Sequence, residues 1–378
     1  MRDVLIVGDT TRSPELRHEV PLVIGDPFPY AEKDGTRYAF ANSLEFSRLR
    51  GLEGIVTIAN EEIGQDELLA QGLPRHQILI ELALRACRRI GLTDAVVPGS
   101  FPLAFADRLR SEGIELTPDH EFFVERRRVK NADEVEGIRR AQRAAEAGMA
   151  AARDLLRRSS ANGGGLEIDG RALTSEWIKA AIGAVFVEHG CATDDFIVSH
   201  GPQSAVGHEA GHGQIQPNEP IVIDLWPRDA ESACYADMTR TFVVGEPPAQ
   251  LTEWQRLCKQ ALDEALERIR PGANCVDVFR GTCELFQEHG YPTPLTKEPG
   301  TVLEEGFFHG LGHGVGLEVH EAPNLGIAGS HDLVAGDVIT VEPGLYRPGF
   351  GGCRLEDLLL VTEDGFENLT DFPYDLEP

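Results

Sequence analysis

Residues 217–224 read PNEPIVID and residues 335–342 read AGDVITVE, and this repeated pattern of a turn, an apolar strand and an acid decides the fold. The two acids, Asp224 and Glu342, lie 118 residues apart. Asp237 and Glu356, each of which opens a second apolar strand, lie 119 residues apart. Matching offsets of this kind predict a domain of two similar halves, in which both pairs of acids converge on one central point.

Helical segments repeat in the same way. FVEHGC (186–191) and FQEHGY (286–291) are offset by 100 residues, and each ends in a His-Gly pair typical of a helix C-terminus. We therefore expect two α–α–β–β halves. His189 and His289 are interpreted as helix-end histidines, which the helix dipole favours.

The stretch HGLGHGVGLEVHE (309–321) lies between the repeated acids and is rich in glycine, so backbone and imidazole groups can crowd around one point. It carries the histidines His309, His313 and His320. One histidine and four carboxylates form a hard, oxygen-rich ligand set, which suits two divalent cations of the Mn, Co or Zn kind better than a single zinc ion. Two such ions also neutralise four carboxylate charges.

Composition and charge exclude several classes of protein. The 378 residues are 42% hydrophobic, without an apolar run long enough to span a membrane. A formal net charge of −27 disfavours nucleic-acid binding, because phosphates would be repelled. Seven cysteines without CxxC spacing argue against a disulfide framework and a cysteine zinc site, and the N-terminal apolar stretch is too short for a secretory signal. We expect a cytoplasmic globular enzyme.

The first part of the chain, residues 1–126, reads as a small α/β domain. Short apolar runs at 4–8, 21–25, 54–59 and 95–98 alternate with helical stretches. VLIVGDT lacks the GxGxxG pattern of a dinucleotide fold. After the basic segment at 126–130, Asn131 and Glu134 form a capping box that begins a long amphipathic helix. A second domain, residues 127–378, is therefore predicted.

The order and spacing of the acids and histidines resemble the pita-bread metallopeptidases, and in particular their proline-specific branch, Xaa-Pro dipeptidase (prolidase) and Xaa-Pro aminopeptidase. The residues that carry this resemblance are Asp224, Asp237, His313, His320, Glu342 and Glu356. The resemblance implies a creatinase-like α/β N-terminal domain followed by an α+β pseudo-twofold pita-bread catalytic domain. Creatinase shares the fold but not the metal ligands, so the retained ligand types favour a metallopeptidase.

The resemblance also implies a role for each ligand. Asp224 would chelate one metal ion, Asp237 and Glu356 would bridge two, and His313 and Glu342 would complete the second. Two divalent ions, manganese in the first place and cobalt or zinc otherwise, lower the pKa of bound water and so supply a hydroxide nucleophile. Glu342 is the expected proton shuttle.

Four further residues match positions near the substrate in this family. His320 would hold the scissile carbonyl oxygen as it becomes an oxyanion. His208 lies where the family has a histidine on the substrate side, and His309 and Arg354 would line the pocket. The implied substrates are small peptides with proline at the second position, and the implied assembly is a homodimer.

Other interpretations stay open. Residues 208–212 read HEAGH, the HExxH pattern of single-zinc peptidases, but Gly207, Gly211 and Gly213 disfavour the helix that this pattern needs. The hairpin between Asp224 and Asp237 is longer than expected. Either a prolidase or an aminopeptidase acting on longer Xaa-Pro peptides fits the ligand set, and a non-catalytic peptide-binding protein of the same fold is a third alternative.

The identity of the group that binds a dipeptide carboxylate decides between a prolidase and an aminopeptidase that acts on longer peptides. Asn324 stands about where some prolidases carry an arginine for this carboxylate. Arg354, Arg347 or a residue at the pocket rim would have to substitute in a dipeptidase. Otherwise the enzyme removes the N-terminal residue from longer peptides.

Overall fold

A computed structural model describes residues 2–193, 195–329 and 331–378. The chain divides into two compact units, Met1–Arg127 and Arg128–Pro378. In the described segments, no helix has both the length and the apolar character needed to cross a bilayer.

The first unit is built on one six-stranded mixed sheet of order β4-β3-β2-β1-β5-β6. Neighbouring strands are antiparallel in β1–β2 and β2–β3 and parallel in β1–β5, β5–β6 and β3–β4. Its strands are β1 (Val4–Gly8), β2 (Phe28–Lys33), β3 (Thr36–Ala41), β4 (Ile55–Ala59), β5 (Asp94–Val97) and β6 (Glu115–Pro118). Its helices are α1 (Pro14–Glu19), α2 (Phe46–Arg50), α3 (Gln65–Ala70), α4 (Arg75–Ile90) and α5 (Leu103–Ser111), and α6 (His120–Arg128) continues the chain to the second unit.

Both faces of this sheet are covered, as the continuous apolar run of β1 requires. Val4 and Ile6 pack in a cluster with Leu16 of α1, while Leu5 and Val7 pack in a different cluster with residues of α4. Successive side chains of a strand point to opposite faces, so one strand supplies two cores. The α/β organisation expected from the sequence is observed.

Of the four short apolar runs read from the sequence, PLVIG (21–25) does not form a strand. This segment is irregular, and the backbone of Ile24 bonds to Thr10 instead of a neighbouring strand. The sheet takes the hairpin β2–β3 in its place, which turns at Asp34 and Gly35 with φ of 50° and 78°. An Asp-Gly pair with positive φ at both residues is a preferred two-residue hairpin turn.

The second unit contains two similar halves. In the first half, α7 (Ala132–Arg158) and α8 (Ser175–Glu188) precede the sheet β11-β12-β14; in the second, α9 (Ala249–Leu266) and α10 (Cys275–Glu288) precede the sheet β16-β15-β17-β20-β21. The strands are β7 (Ser160–Asn162), β8 (Gly165–Ile168), β9 (Arg171–Ala172), β10 (Cys191–Ala192), β11 (Ile197–His200), β12 (Ile221–Leu225), β13 (Arg228–Asp229), β14 (Met238–Phe242), β15 (Gly312–Gly314), β16 (Glu321–Leu325), β17 (Val338–Val341), β18 (Gly344–Arg347), β19 (Gly351–Arg354), β20 (Asp357–Val361) and β21 (Phe366–Asn368).

The helices confirm the repeat read from the sequence. α8 and α10 each have 14 residues and are followed by His-Gly, and Gly190 and Gly290 adopt φ of 71° and 83°. Left-handed backbone at this position ends a helix and favours glycine. The capping box at the start of α7 is also present, since Asn131 and Glu134 bond to each other's backbone N–H.

The two halves join where β14 meets the segment before β20. The backbone N–H of Glu356 donates to the carbonyl of Thr239 at 3.1 Å, and the hydroxyl of Thr241 donates to the carbonyl of Arg354 at 3.0 Å. Two apolar cores lie beside this junction, one largely around α7 and α8 and the other largely around α9 and α10. The acids at the strand ends therefore face one shared centre.

Candidate metal centre

Five predicted ligands occupy strand ends or their flanking residues in the second unit. Because equivalent strands of the two halves meet at the junction, their ends bring the side chains together. Asp224 lies in β12, Asp237 immediately before β14, His313 in β15, Glu342 immediately after β17 and Glu356 immediately before β20.

The distances among these side chains fit a shared ion. Asp237, His313 and Glu356 each offer one ligand atom, and these atoms all lie within 4.8 Å of one another. Nε2 of His313 lies 3.6 Å from Oε1 of Glu342 and 3.8 Å from Oδ2 of Asp237. The structure therefore brings His313 together with carboxylates from both halves.

Burial makes the ionisation of these carboxyl groups unfavourable. Desolvation raises the pKa of Asp237 and Glu356 well above the ordinary values, and the nearby carboxylates raise both further. Burial also raises the pKa of Glu342, to about 8, although the positive charge of Arg354 opposes the shift. A cluster of this kind ionises readily only when cations compensate its charge.

The donor set fits divalent cations. Oδ1 of Asp224 and Oδ1 of Asp237 are buried and accept no hydrogen bond from the described residues. Burial lowers the pKa of His313 to about 3, so its imidazole is neutral. Nδ1 of His313 lies 3.1 Å from the carbonyl of Gly314 and so carries the hydrogen, which leaves the Nε2 lone pair facing the carboxylates. One neutral nitrogen and several carboxylate oxygens are suitable ligands for Mn, Co or Zn.

Arg354 is buried beside the ligands. Its Nη2 donates to Oδ2 of Asp224, its Nη1 to the hydroxyl of Tyr346 at 2.9 Å, and its Nε to the hydroxyl of Thr239 at 3.2 Å. Arg354 is only 5% exposed. These contacts orient Asp224, whereas the predicted contact of Arg354 with substrate stays a prediction.

His309 has both ring nitrogens engaged. Nδ1 lies 2.7 Å from the carbonyl of Gly310 and Nε2 lies 3.0 Å from the hydroxyl of Tyr346. Burial lowers the pKa of His309 to about 3, so Nδ1 donates to Gly310 and Nε2 accepts from Tyr346. With the rings of Phe307 and Phe308 beside it, His309 offers the pocket an aromatic surface rather than a free hydrogen-bonding nitrogen.

His320 and His208 are exposed and lie close to the site. The ring of His320 lies 4.3 Å from that of His313, centroid to centroid. Partial desolvation of its ring lowers the pKa of His320, and the charge of His208 lowers it further. His208, in a turn after the 3-10 helix Gly201–Ala205, also lowers the pKa of His309. The structure thus brings both histidines towards the ligands, and their roles stay predictions.

The HEAGH segment forms no helix. Residues 208–212 lie in a turn and an irregular loop, and Gly211 and Gly213 both have φ of 83°. The side chain of His212 is 72% exposed and lies 3.6 Å from Glu209. The two histidines of HEAGH are therefore not presented on one helical face as a single-zinc site requires.

Two residues of this site were not predicted from the sequence. Thr239 donates its hydroxyl to Oε2 of Glu356 at 2.6 Å, and Tyr346 joins Arg354 to His309. Thr239 follows Asp237 by two residues, so the period of a strand could have placed it on the same face. Tyr346 gives no such signal, because its partners come from other strands.

Comparison with known families gives a consistent result. A model described as metallopeptidase family M24 matches residues 136–363. An Xaa-Pro dipeptidase of Pyrococcus furiosus is 36% identical over 181 residues, which are 47% of this chain and 47% of that protein. The matched segment thus spans about half the length of this curated relative.

Solved structures resemble the chain over nearly its whole length. A prolidase from Pyrococcus furiosus has a TM-score of 0.76 and 22% identity and covers 99% of this chain and 97% of that chain. An X-Pro aminopeptidase from Thermotoga maritima has a TM-score of 0.78 and 21% identity and covers 98% of this chain and 96% of that chain. These likenesses confirm the predicted fold class, an α/β N-terminal unit followed by a pita-bread unit.

Proposed function

Because the chain belongs to metallopeptidase family M24, we propose that it is a two-metal exopeptidase that hydrolyses the Xaa-Pro bond of dipeptides. The observation that carries this proposal is the convergence of Asp237, His313 and Glu356, within 4.8 Å, beside two further carboxylates. The name of the Pyrococcus furiosus relative supports the substrate class.

Family membership implies divalent metal ions, and we propose manganese as the native one. Asp224, Asp237, His313, Glu342 and Glu356 would hold two ions. Bound divalent ions polarise the scissile carbonyl and make a hydroxide available near neutral pH. The remaining chemistry belongs to the side chains of this chain.

Glu342 is the proposed proton carrier. Its carboxylate lies beside His313 and 4.0 Å from Nε of Arg354, where it can accept a proton from the attacking water and pass it to the departing proline nitrogen. That nitrogen needs a proton to leave as an amine, so one carboxyl group can serve both steps.

His320 is proposed to donate a hydrogen bond to the carbonyl oxygen as it gains negative charge. Its exposed ring beside His313 is within reach of a substrate and is not among the close group of ligand atoms. His208 is proposed to contact the substrate from the loop after Gly201–Ala205. His309, with Phe308 and Tyr346, supplies an aromatic surface that suits the proline ring.

Xaa-Pro aminopeptidase activity on longer peptides is the second candidate. Asn324 pairs with His313 across β15 and β16, so its exposed side chain lies on the same sheet face, and it is neutral. Arg354 is engaged by Asp224, and Nε of Arg347 donates to Glu305 at 2.8 Å. A buried dipeptide carboxylate without a donor would cost several kcal/mol, which favours substrates whose carboxylate lies farther out.

Hydrolysis of Ala-Pro and Ala-Pro-Pro, measured separately with Mn²⁺, Co²⁺ and Zn²⁺, tests these proposals. Faster cleavage of Ala-Pro is expected of a dipeptidase, and clear preference for Ala-Pro-Pro makes the chain an aminopeptidase. Inactivity on both peptides with metals bound would contradict proline specificity and favour the peptide-binding alternative.

Asn324→Arg provides a matched variant for the same assay. An arginine there would supply a charged donor for a dipeptide carboxylate, so the ratio of kcat/KM for Ala-Pro to that for Ala-Pro-Pro should rise by about tenfold, as one charge-assisted hydrogen bond allows. An unchanged ratio would show that residue 324 does not face the substrate carboxylate.

A further inference from the structure

The loop that carries His208 is closed at its base. It leaves β11 at Gly201 and returns to the same strand, where the N–H of Val198 donates to the carbonyl of Ala210 at 3.0 Å. Gln203 bonds His212 twice, donating to its carbonyl at 3.0 Å and accepting from its N–H at 2.9 Å. Residues 201–213 thus form a ring-like segment with His208 near its middle, and we call this segment the His208 loop.

A glycine fixes the return of this loop. Gly211 has φ of 83°, and a Cβ there would lie 1.9 Å from the carbonyl oxygen of Val198. A side chain would therefore push the loop away from β11. This close approach brings the carbonyl of His212 to the ring of His200, the last residue of β11.

His200 contacts acceptors with both ring nitrogens. Nδ1 lies 2.6 Å from Oε1 of Glu219, and Nε2 lies 3.1 Å from the carbonyl oxygen of His212. A carboxylate and a carbonyl only accept hydrogen bonds, and a neutral imidazole has one N–H. Both contacts are hydrogen bonds only if the ring is an imidazolium. His200 is 6% exposed, so water does not readily replace either partner.

The surroundings favour the charged ring. Burial alone would lower the pKa of His200, but the hydrogen bond and charge of Glu219, followed by the carbonyl of His212 and the charge of Glu176, raise it above the ordinary value. Other charged groups contact the loop, two of them from α8 and one from within the loop itself. They are Glu176, which accepts from the N–H of Gly213 at 3.0 Å, Lys179, which donates to the carbonyl of Gly211 at 3.4 Å, and Glu209, which lies 3.6 Å from His212.

We propose that His200 is a positioning residue, whose imidazolium clamps the base of the His208 loop and thereby holds His208 against the substrate side of the site. Among the described residues, the hydrogen-bond partners of the His200 ring are Glu219 and His212, and neither is a proposed metal ligand. The role of His208 rests on the proposed function, whereas the clamp rests on the contacts of His200 alone.

The sign of the pH dependence follows from the raised pKa. The contribution of the clamp is fully present below about pH 6.5, the value of an unperturbed histidine. It is lost as the pH rises through the pKa of His200, because one of the two N–H donors disappears. The loop should therefore open at alkaline pH.

Hydrogen–deuterium exchange of the full metal-loaded chain tests the clamp without any need for activity. At pH 6, His200→Gln should reduce the protection of amides in 203–213 by about tenfold, the effect of losing one charge-assisted hydrogen bond. His189→Gln, the same substitution at an exposed helix end, should leave the loop unchanged. In the wild type, protection corrected for intrinsic exchange should fall as the pH rises from 6 to 9.

A second variant covers the case in which His200→Gln fails to fold. Glu219→Gln keeps an acceptor for Nδ1 but removes the charge, so the pH at which the loop opens should decrease. Equal protection in His200→Gln and wild type, or wild-type protection that does not depend on pH, would overturn the clamp.

A kinetic comparison then asks whether the clamp acts through His208. If it does, His200→Gln should lower kcat/KM in the wild type but have no further effect in a His208→Gln background. Additive losses would overturn the positioning role. A chain that cleaves no peptide would contradict the proposed function, while the exchange experiment would still decide on the clamp.

Discussion

His313 and His320 lie side by side but differ in what surrounds them. His313 is nearly buried, and its Nε2 faces two carboxylates, whereas His320 is exposed. Desolvation lowers the pKa of both rings, and that of His313 falls to about 3. The same side chain is thus suited to ligation in one position and to hydrogen bonding with substrate in the other.

Replacing His320 by Ala should lower kcat by about 100- to 1,000-fold, the usual effect of removing an oxyanion donor, and leave the metal content nearly unchanged. Replacing His313 by Ala should lower both metal content and activity. Elemental analysis and peptide hydrolysis on the same samples check this. Loss of metal from the His320 variant, with retention in the His313 variant, would reverse the two assignments.

His212→Ala should retain both metal and activity, because the side chain of His212 is 72% exposed in an irregular loop. This substitution removes the second histidine of HEAGH. If the purified variant held no metal, the single-zinc interpretation would replace the two-metal one.

The acids were predictable from the sequence because each ends or begins a strand-like run and recurs at a fixed offset. The role of Arg240 was not predictable, although Arg240 is fully buried and pairs with Asp357 at 3.0 Å. Asp357 also accepts hydrogen bonds from Asn368 and Tyr374, so this buried carboxylate has a structural role beside Glu356. Partners from distant strands leave no periodic signal in one sequence.

At the scale of elements, the long hairpin between Asp224 and Asp237 is held by an internal anchor. Asp229 is buried, accepts two hydrogen bonds from Arg140 of α7 at 3.0 and 2.8 Å, and accepts two more from Ser232 at 2.7 Å. β13 also pairs with β10. The extra residues therefore form an ordered element rather than an unsupported loop.

Asp229→Asn should lower the free energy of unfolding by about 1–3 kcal/mol at pH 7, because it removes a charged acceptor from buried donors. Burial opposes ionisation, but Arg140 and Ser232 hold the pKa of Asp229 below its usual value. This stabilisation is present above about pH 3.9, the value of an unperturbed aspartate, and is lost at lower pH.

Denaturant unfolding at pH 7 and at pH 3 checks the effect of Asp229→Asn. Asp154→Asn is the control on the same helix, since the exposed Asp154–Arg158 pair should contribute less than about 0.5 kcal/mol. A cost for Asp229→Asn no greater than that of the control would refute the anchor.

Elements that have a strong pattern in the sequence were predicted correctly. Elements whose formation depends on which of two segments joins the sheet were not. α8 and α10 follow from their repeat, whereas the apolar run at 21–25 is not a strand because the Asp34-Gly35 hairpin supplies β2 and β3 to the sheet instead. Choosing between two segments for one sheet position needs long-range pairing that a single sequence does not reveal.

For the whole molecule, we expect a homodimer, as the family resemblance implies. Light scattering at working concentration should give about twice the 41.3 kDa of one chain. A mass of one chain under those conditions would contradict the prediction.

The two halves of the second unit each provide carboxylates to a centre that neither half could build alone. Asp224 and Asp237 come from the first half, and His313, Glu342 and Glu356 come from the second. The duplication thus explains both the fold and the charge of the site. Metal binding should accordingly depend on acids from both halves.

Metal content is the most direct test of this account. The chain is purified with Mn²⁺, desalted and measured by elemental analysis, alongside the variants Asp237→Asn and Glu356→Gln. We predict two divalent ions per chain, reduced content in both variants, and loss of Xaa-Pro hydrolysis after treatment with a chelator. A wild-type chain that holds no divalent ion and is unaffected by the chelator would contradict the two-metal centre.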